Sequence, residues 1–221
     1  MTLFSSHLKT LLLMLSVTLL AACSTLPEQD YSAYRMRMPY SILVLPPLND
    51  SIDVNAPYAY LPSVIQPLAE AGYYVFPVAV VDAFMKENGM IGAAEMHQVS
   101  LKKFKEIIGA DAVLYINIEE WGQQYLILNS VTVVKFQARL VDTQTGAMLW
   151  KGEQDVQLSS NQGQSGILTM ALSALVSQIS NDSGEQAYRL SKQANHRMVN
   201  SKQGLLLGPY HPNYEKDQRG R

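Results

Sequence analysis

An α/β domain built on one mixed sheet is predicted by three features of the chain. The run Ser41-Ile42-Leu43-Val44-Leu45 is apolar almost throughout, as expected of a strand buried on both faces under helices. Short strand-like runs then alternate with helical periods as far as Trp121, the order of parallel β-α-β units with right-handed crossovers. From Tyr125 to Leu158 apolar and polar residues alternate around a tight turn, which marks antiparallel strands with one wet face. The expectation is a single three-layer α/β domain whose sheet starts parallel, ends in an antiparallel meander and is followed by C-terminal helices.

The chain opens with Lys9, an apolar run from Leu11 to Leu20, and the small residues Ala21-Ala22 before Cys23. That is the layout of a secretory signal peptide. The run is too short to cross ~30 Å of hydrocarbon as a helix, which takes ~20 apolar residues. Leu20-Ala21-Ala22-Cys23 resembles the lipobox of bacterial lipoproteins, whose cysteine is acylated and becomes the mature N-terminus. Cys23 is the only cysteine, so no intramolecular disulfide is available. The resemblance implies a lipid anchor at Cys23, stable at ~0.8 kcal/mol per buried methylene. With Ser24 rather than Asp after the cysteine, it also implies the outer membrane, facing the periplasm. Residues 1–22 are thus read as signal peptide, 23–39 as lipidated N-terminus and tether, 40–200 as a periplasmic domain and 201–221 as a tail.

The remaining elements follow from pattern. Residues 57–71 carry Leu61, Val64, Ile65, Leu68 and Ala69 at helical spacing before Gly72, with Pro62 and Pro67 expected to kink or split the helix. Tyr73-Tyr74-Val75-Phe76 reads as a short strand and Val78 to Asn88 as a helix. Ser100 reads as an N-cap for Leu101 to Ile108, with Leu101, Phe104, Ile107 and Ile108 on one face and Gly109 as the stop. Ala112 to Trp121 is a strand, and Asp142 to Gly146 turns the chain into a strand bearing Trp150. Ile167, Leu168, Leu172, Leu175, Val176 and Ile179 make a helix apolar on most sides. At about thirteen residues it is too short to span a bilayer, so it is expected to be buried on the sheet or to mediate self-association. Residues 184–199 form a more polar helix, and Leu205-Leu206-Leu207 a small apolar plug.

A hydrophobic fraction of 48% supports a real core, and a net charge of −2 makes no case for nucleic acid. The mature chain shows no pattern of catalysis. His97, His196 and His211 lie far apart, without metal-ligand spacing. No nucleophile elbow and no phosphate-binding Gly-Lys-Ser/Thr loop occurs. Glu119 and Glu120 are adjacent on a strand and are expected on opposite faces. The Asn49–Asn55 loop alternates oxygen side chains, a weak calcium pattern that turn chemistry explains as well. Tyr73, Tyr74, Tyr115, Trp121 and Trp150 fit either sheet core or a contact face, and Lys102-Lys103-Lys105 the wet face of a helix. No enzyme, cofactor or metal is expected beyond the covalent lipid.

Four stretches carry a further resemblance: Ser41 to Pro47 with Asn49, Ala69 to Val78, Gly109 to Ile116, and Asp142…Thr145-Gly146…Leu149-Trp150. Together they are similar to the GNA-type outer-membrane lipoproteins, a family of unknown function. The resemblance reaches more widely to the amino-terminal domain of TolB, the curli-secretion lipoprotein and the lipoprotein activators of peptidoglycan synthases. It implies the mixed sheet read above, a tendency to dimerise or form larger homo-oligomers, and work through contacts with other envelope lipoproteins or secretion-channel proteins. The expected function is a non-enzymatic accessory component of an envelope secretion or transport complex; the alternative is an activator of a peptidoglycan synthase.

Overall fold

The computed structural model describes residues 29–125, 130–159, 183–217 and 219. Its elements are α1 (Ser32–Met36), β1 (Ser41–Val44), β2 (Leu48–Asn49), α2 (Ala56–Glu70), β3 (Tyr74–Val75), α3 (Val78–Glu87), α4 (Ala93–His97) and α5 (Leu101–Lys103). A single π turn (Phe104–Ile108), β4 (Ala112–Tyr125), β5 (Ser130–Asp142), β6 (Met148–Ser159), α6 (Ser183–Asn200) and a 3-10 turn (Tyr214–Lys216) complete them. Cys23 and the helical stretch Ile167, Leu168, Leu172, Leu175, Val176 and Ile179 lie outside the described residues.

One six-stranded sheet runs β3-β1-β4-β5-β6, with β2 added alongside β4. β1 pairs in parallel with β3 and β4, and the β4-β5-β6 meander is antiparallel. The fold is therefore the expected mixed α/β domain. Alternation sorts β1 between two layers: Ile42 and Val44 join the core under α2 and α6, Leu43 and Leu45 the core under α3, α4 and α5. Because β1 is covered on both sides, it needed the continuous apolar run seen in the sequence.

Three local outcomes differ from the sequence pattern. Helix α2 runs as one element through Pro62 and Pro67. Each proline forfeits an intrahelical bond, but Tyr60, Leu61, Val64 and Leu68 are buried against sheet and α6, and burial of that order outweighs ~3 kcal/mol per interior proline. In the Leu101–Ile108 helix the last turn widens to a π turn, with Gly109 donating to the Phe104 and Lys105 carbonyls. That widening rotates Ile107 out to solvent while Phe104 stays in the core, so the expected four-residue face is not formed. Ser100 holds the cap position without a side-chain capping bond.

Packing also reaches beyond residues 40–200. Tyr31 and Tyr34 from the segment read as tether are buried, as are Leu205 and Leu206 from the segment read as tail. The Tyr31 hydroxyl donates to the Gly204 carbonyl, and the Tyr73 hydroxyl to the Leu206 carbonyl, both over spans of more than a hundred residues. Tyr34 and Tyr73 share a hydroxyl contact of 2.7 Å. Asp217 then accepts from the Leu207 N–H and from Arg219, whose guanidinium also donates to the Val199 carbonyl. Tyrosine suits such a site because its ring fills core volume while its one hydroxyl satisfies a chain-end carbonyl. The ordered domain therefore begins near Tyr31 and extends at least to Asp217.

Candidate binding groove on the open sheet face

The layer of α3, α4 and α5 covers only the β1 end of its side of the sheet. Beyond Tyr115 no described element covers that face, and the strand register sets out its side chains in rows. Tyr115, Arg139 and Lys151 stand opposite one another across β4, β5 and β6. Asn117, Gln137 and Glu153 form the next row. These rows floor a groove of about 530 Å³, walled by His97 at one side and by Met148 and Gln29 towards β6.

A bulge in β4 between Ile118 and Glu120 shapes the far end. Ile118 faces the core, and after the inserted residue Glu120 stands opposite Lys135 on the open face. Glu119 reaches the same Lys135 at 3.0 Å and accepts from Gln137 at 2.6 Å. The two glutamates thus share a face, which corrects the expectation from strict alternation; an extra residue shifts the period by one. Lys135 binds Glu153 of β6 as well, at 3.3 Å. Gln124 donates to Glu120. These carboxylates are held by neutralising or donating partners, the arrangement of a structural ion-pair ladder.

The near end is differently charged. The Arg139 guanidinium lies 4.8 Å from the centroid of Tyr115, a cation–π stack, and His97 meets the same ring edge-on at 5.2 Å. Neither Arg139 nor Lys151 has an acidic partner among the described residues, and both are exposed. Burial holds the His97 imidazole below its ordinary pKa against the opposing bond to Pro46, and the positive charge of Arg139 adds to the lowering. A carbonyl only accepts, so His97 donates through Nε2 to the Pro46 oxygen at 2.9 Å, and the neutral ring keeps Nδ1 as an acceptor. Asn117 donates to Asp50 at 2.7 Å but leaves Oδ1 buried without a donor among the described residues. Tyr115 is pushed up by burial and stays a neutral phenol at any physiological pH. The groove thus offers two cations and an unfilled acceptor, and among its described residues no nucleophile beside a base.

The other sequence candidates are placed as follows. The Asn49–Asn55 loop is turn chemistry: Asn49 Oδ1 accepts from the Ser51 N–H and hydroxyl, its Nδ2 donates to the Asp53 carbonyl, and Asp53 accepts from the Asn55 N–H. No three His, Cys, Asp or Glu side chains converge as a metal site among the described residues. Tyr73, Tyr115, Trp121 and Trp150 are buried, so the core reading holds for them, whereas Tyr74 stays 52% exposed beside Phe76. Lys102 and Lys105 pair with Glu106 and Asp111 on a solvated helix face. The Tyr115–Arg139–Lys151 row was not visible in the sequence, where its members are widely separated and only Tyr115 was singled out, as one of five aromatic residues fitting core or a contact face.

A family model described as "Putative lipoprotein GNA1162-like" matches residues 29–210, which include the whole groove. The chain belongs to this family. A putative lipoprotein of Neisseria meningitidis serogroup B is 45% identical over 207 residues, covering 91% of this chain and 96% of the relative. The crystal structure of lipoprotein GNA1162 from Neisseria meningitidis is 52% identical with a TM-score of 0.54, covering 65% of this chain and all (100%) of that one. The PelC dodecamer of Paraburkholderia phytofirmans, at 15% identity and a TM-score of 0.41 over 72% of this chain and 86% of that one, is too remote to carry a function across.

Proposed function

We propose that this protein is an outer-membrane lipoprotein, anchored through acylated Cys23 and facing the periplasm, that works without catalysis as a self-associating accessory component of an envelope secretion or transport complex. The observation that carries the reading is a sheet with part of one face and one long edge left open among the described residues, in a member of a lipoprotein family. β6 is 12 residues long and, among the described residues, has a strand neighbour on one side only. Such an edge accepts an added strand from a partner through main-chain bonds. Its exposed Lys151, Glu153 and Asp155 select that partner by charge and discourage indiscriminate edge pairing. Self-association is assigned to the apolar stretch from Ile167 to Ile179.

The test is purification of the full-length lipidated protein in mild detergent, with native mass read on the product. A large assembly carrying other envelope proteins supports the reading; a bare monomer refutes it. Recovery of a peptidoglycan synthase would promote the alternative activator role. Reach counts against that role: with packing from Tyr31 onward, residues 23–30 extend at most about 26 Å. Cys23→Ser is expected to release the protein from membranes at physiological salt, and its retention in the membrane fraction would remove the anchor. Leu175→Glu should lower the native mass while the domain still melts cooperatively; loss of folding instead would place that helix in the core.

A further inference from the structure

We propose that the groove on the open sheet face is a membrane-contact site that takes the anionic glycerophosphate headgroup of a phospholipid in the leaflet holding the anchor. The inference rests on the anchoring at Cys23 proposed above and adds what the domain does once tethered.

The path of the chain supplies the first support. Gln29 lines the groove, and Cys23 precedes it by six positions. Six residues extend no further than about 20 Å, so an acylated Cys23 keeps the groove rim within that distance of the bilayer surface. Connectivity therefore keeps this surface within reach of the membrane.

Charge supplies the second. Arg139 and Lys151 are opposite each other across β5 and β6, exposed and without acidic partners among the described residues. The Tyr115 ring lies 4.8 Å from the Arg139 Cζ and restrains the guanidinium at the groove floor before a phosphate arrives. By contrast, Lys102 of α5 and Lys105 of the following π turn are already paired with carboxylates.

The third is the unfilled acceptor. Asn117 Oδ1 is buried, lacks a donor among the described residues and belongs to a residue of the groove floor one row from Arg139. A phosphodiester alone cannot satisfy it, because at neutral pH its free oxygens only accept. A glycerol headgroup supplies donors beyond such a phosphodiester, with the phosphate on Arg139 and Lys151 and the hydroxyls over the neighbouring Asn117 row. Apolar side chains complete the surface. Met148 is 45% exposed at the groove wall, and the loop leaving groove residue Leu48 carries Ile52 and Val54 at 94% and 78% exposure. Those are the side chains that enter the boundary between headgroups and acyl chains.

The experiment uses the mature chain bearing Cys23→Ser, made without lipid, and measures flotation with vesicles of phosphatidylethanolamine with or without phosphatidylglycerol. The unlipidated chain should bind only the phosphatidylglycerol vesicles, at low salt and excess lipid, and should be lost near 1 M salt, where screening shortens to about 3 Å. A cation near an anionic surface is worth about 1 kcal/mol, so the double variant Arg139→Gln/Lys151→Gln should bind roughly 25-fold more weakly. Lys102→Gln/Lys103→Gln, with the same change in net charge on another face, should bind within about twofold of the parent if the contact is local. Binding indifferent to phosphatidylglycerol, or equal losses in the two double variants, would overturn the proposal. Should the Arg139 variant melt early, Lys151→Gln alone carries the test at roughly fivefold. The protein tested has no lipid, so this result is independent of membrane release by Cys23→Ser in cells, which reads the anchor itself.

Discussion

Gly152→Ala should destabilise the domain far more than a single added methyl usually does. Gly152 follows Trp150 by two positions on the core face of β6, and a Cβ built there falls 2.4 Å from Trp150 Cζ2 and 2.5 Å from Cη2. Ordinary contact begins near 3.4 Å, so the overlap is about 1 Å. The indole cannot swing aside cheaply: it is 1% exposed, and its Nε1–H donates to the Gln203 carbonyl at 2.9 Å. Overpacking of a tight core costs typically 1–3 kcal/mol, and loss of the indole bond adds about 1, giving about 2–4 kcal/mol. For a domain of this size that lowers Tm by roughly 2–4 °C per kcal/mol. Urea unfolding followed by circular dichroism reads the cost directly. A double-mutant cycle assigns it, since in a Trp150→Leu background the slot is vacant and Gly152→Ala should change stability by less than about 0.5 kcal/mol. An Ala substitution that is silent in the wild-type background, or equally costly in both, would refute the account.

Two further outcomes follow from buried polar groups. Tyr60 donates to Asn195 Oδ1 at 2.6 Å, and Asn195 donates to Ser63 Oγ at 2.8 Å, between two fully packed helices. Asn195→Ala should therefore cost about 2–4 kcal/mol in urea unfolding, more than Tyr60→Phe, because it removes two buried hydrogen bonds rather than one. At Asp217, burial would raise the carboxyl pKa, but bonds from Arg219 and from the Leu207 N–H override it and hold the value at about 2. A depressed acid stabilises the fold above its ordinary value of 3.8 and loses that contribution as pH falls towards about 2. Discounted for solvent screening through Arg219, whose side chain keeps 19% exposure, the contribution is about 1–2 kcal/mol. Asp217→Asn should therefore lower Tm at pH 7, and the gap from wild type should close as pH falls below 4. A gap that stays constant to low pH would remove the ion pair from the account.

Much of the architecture could be read before any coordinates. The unbroken Ile42–Leu45 run, the stop at Gly109 and the turn at Asp142–Gly146 each record a local requirement: burial on two faces, a left-handed backbone at φ +83, and Asx hydrogen bonding with φ +74 at Gly146. Pattern reading failed where distant packing overrules local preference. Pro62 and Pro67 remain inside α2 because its apolar face is buried, and Ile107 leaves its expected face because a π turn resets the period. Tyr31 and Tyr34 show no periodicity that would pull them out of a tether, since their partners Gly204 and Tyr73 lie far along the chain.

The sequence by itself determined the lipoprotein-like start at Cys23, the parallel-then-antiparallel order of the main strands, the mixed sheet and the family, because each is written in neighbouring residues or a short spacing. Only the tertiary structure decided what the open face carries. Tyr115, Arg139 and Lys151 become one row through strand register, and Glu119 and Glu120 share a face through a bulge. Asn117 Oδ1 became an unfilled acceptor only when folding buried it. Register, bulges and burial arise between strands that meet across long loops, and no local stretch of the chain encodes them.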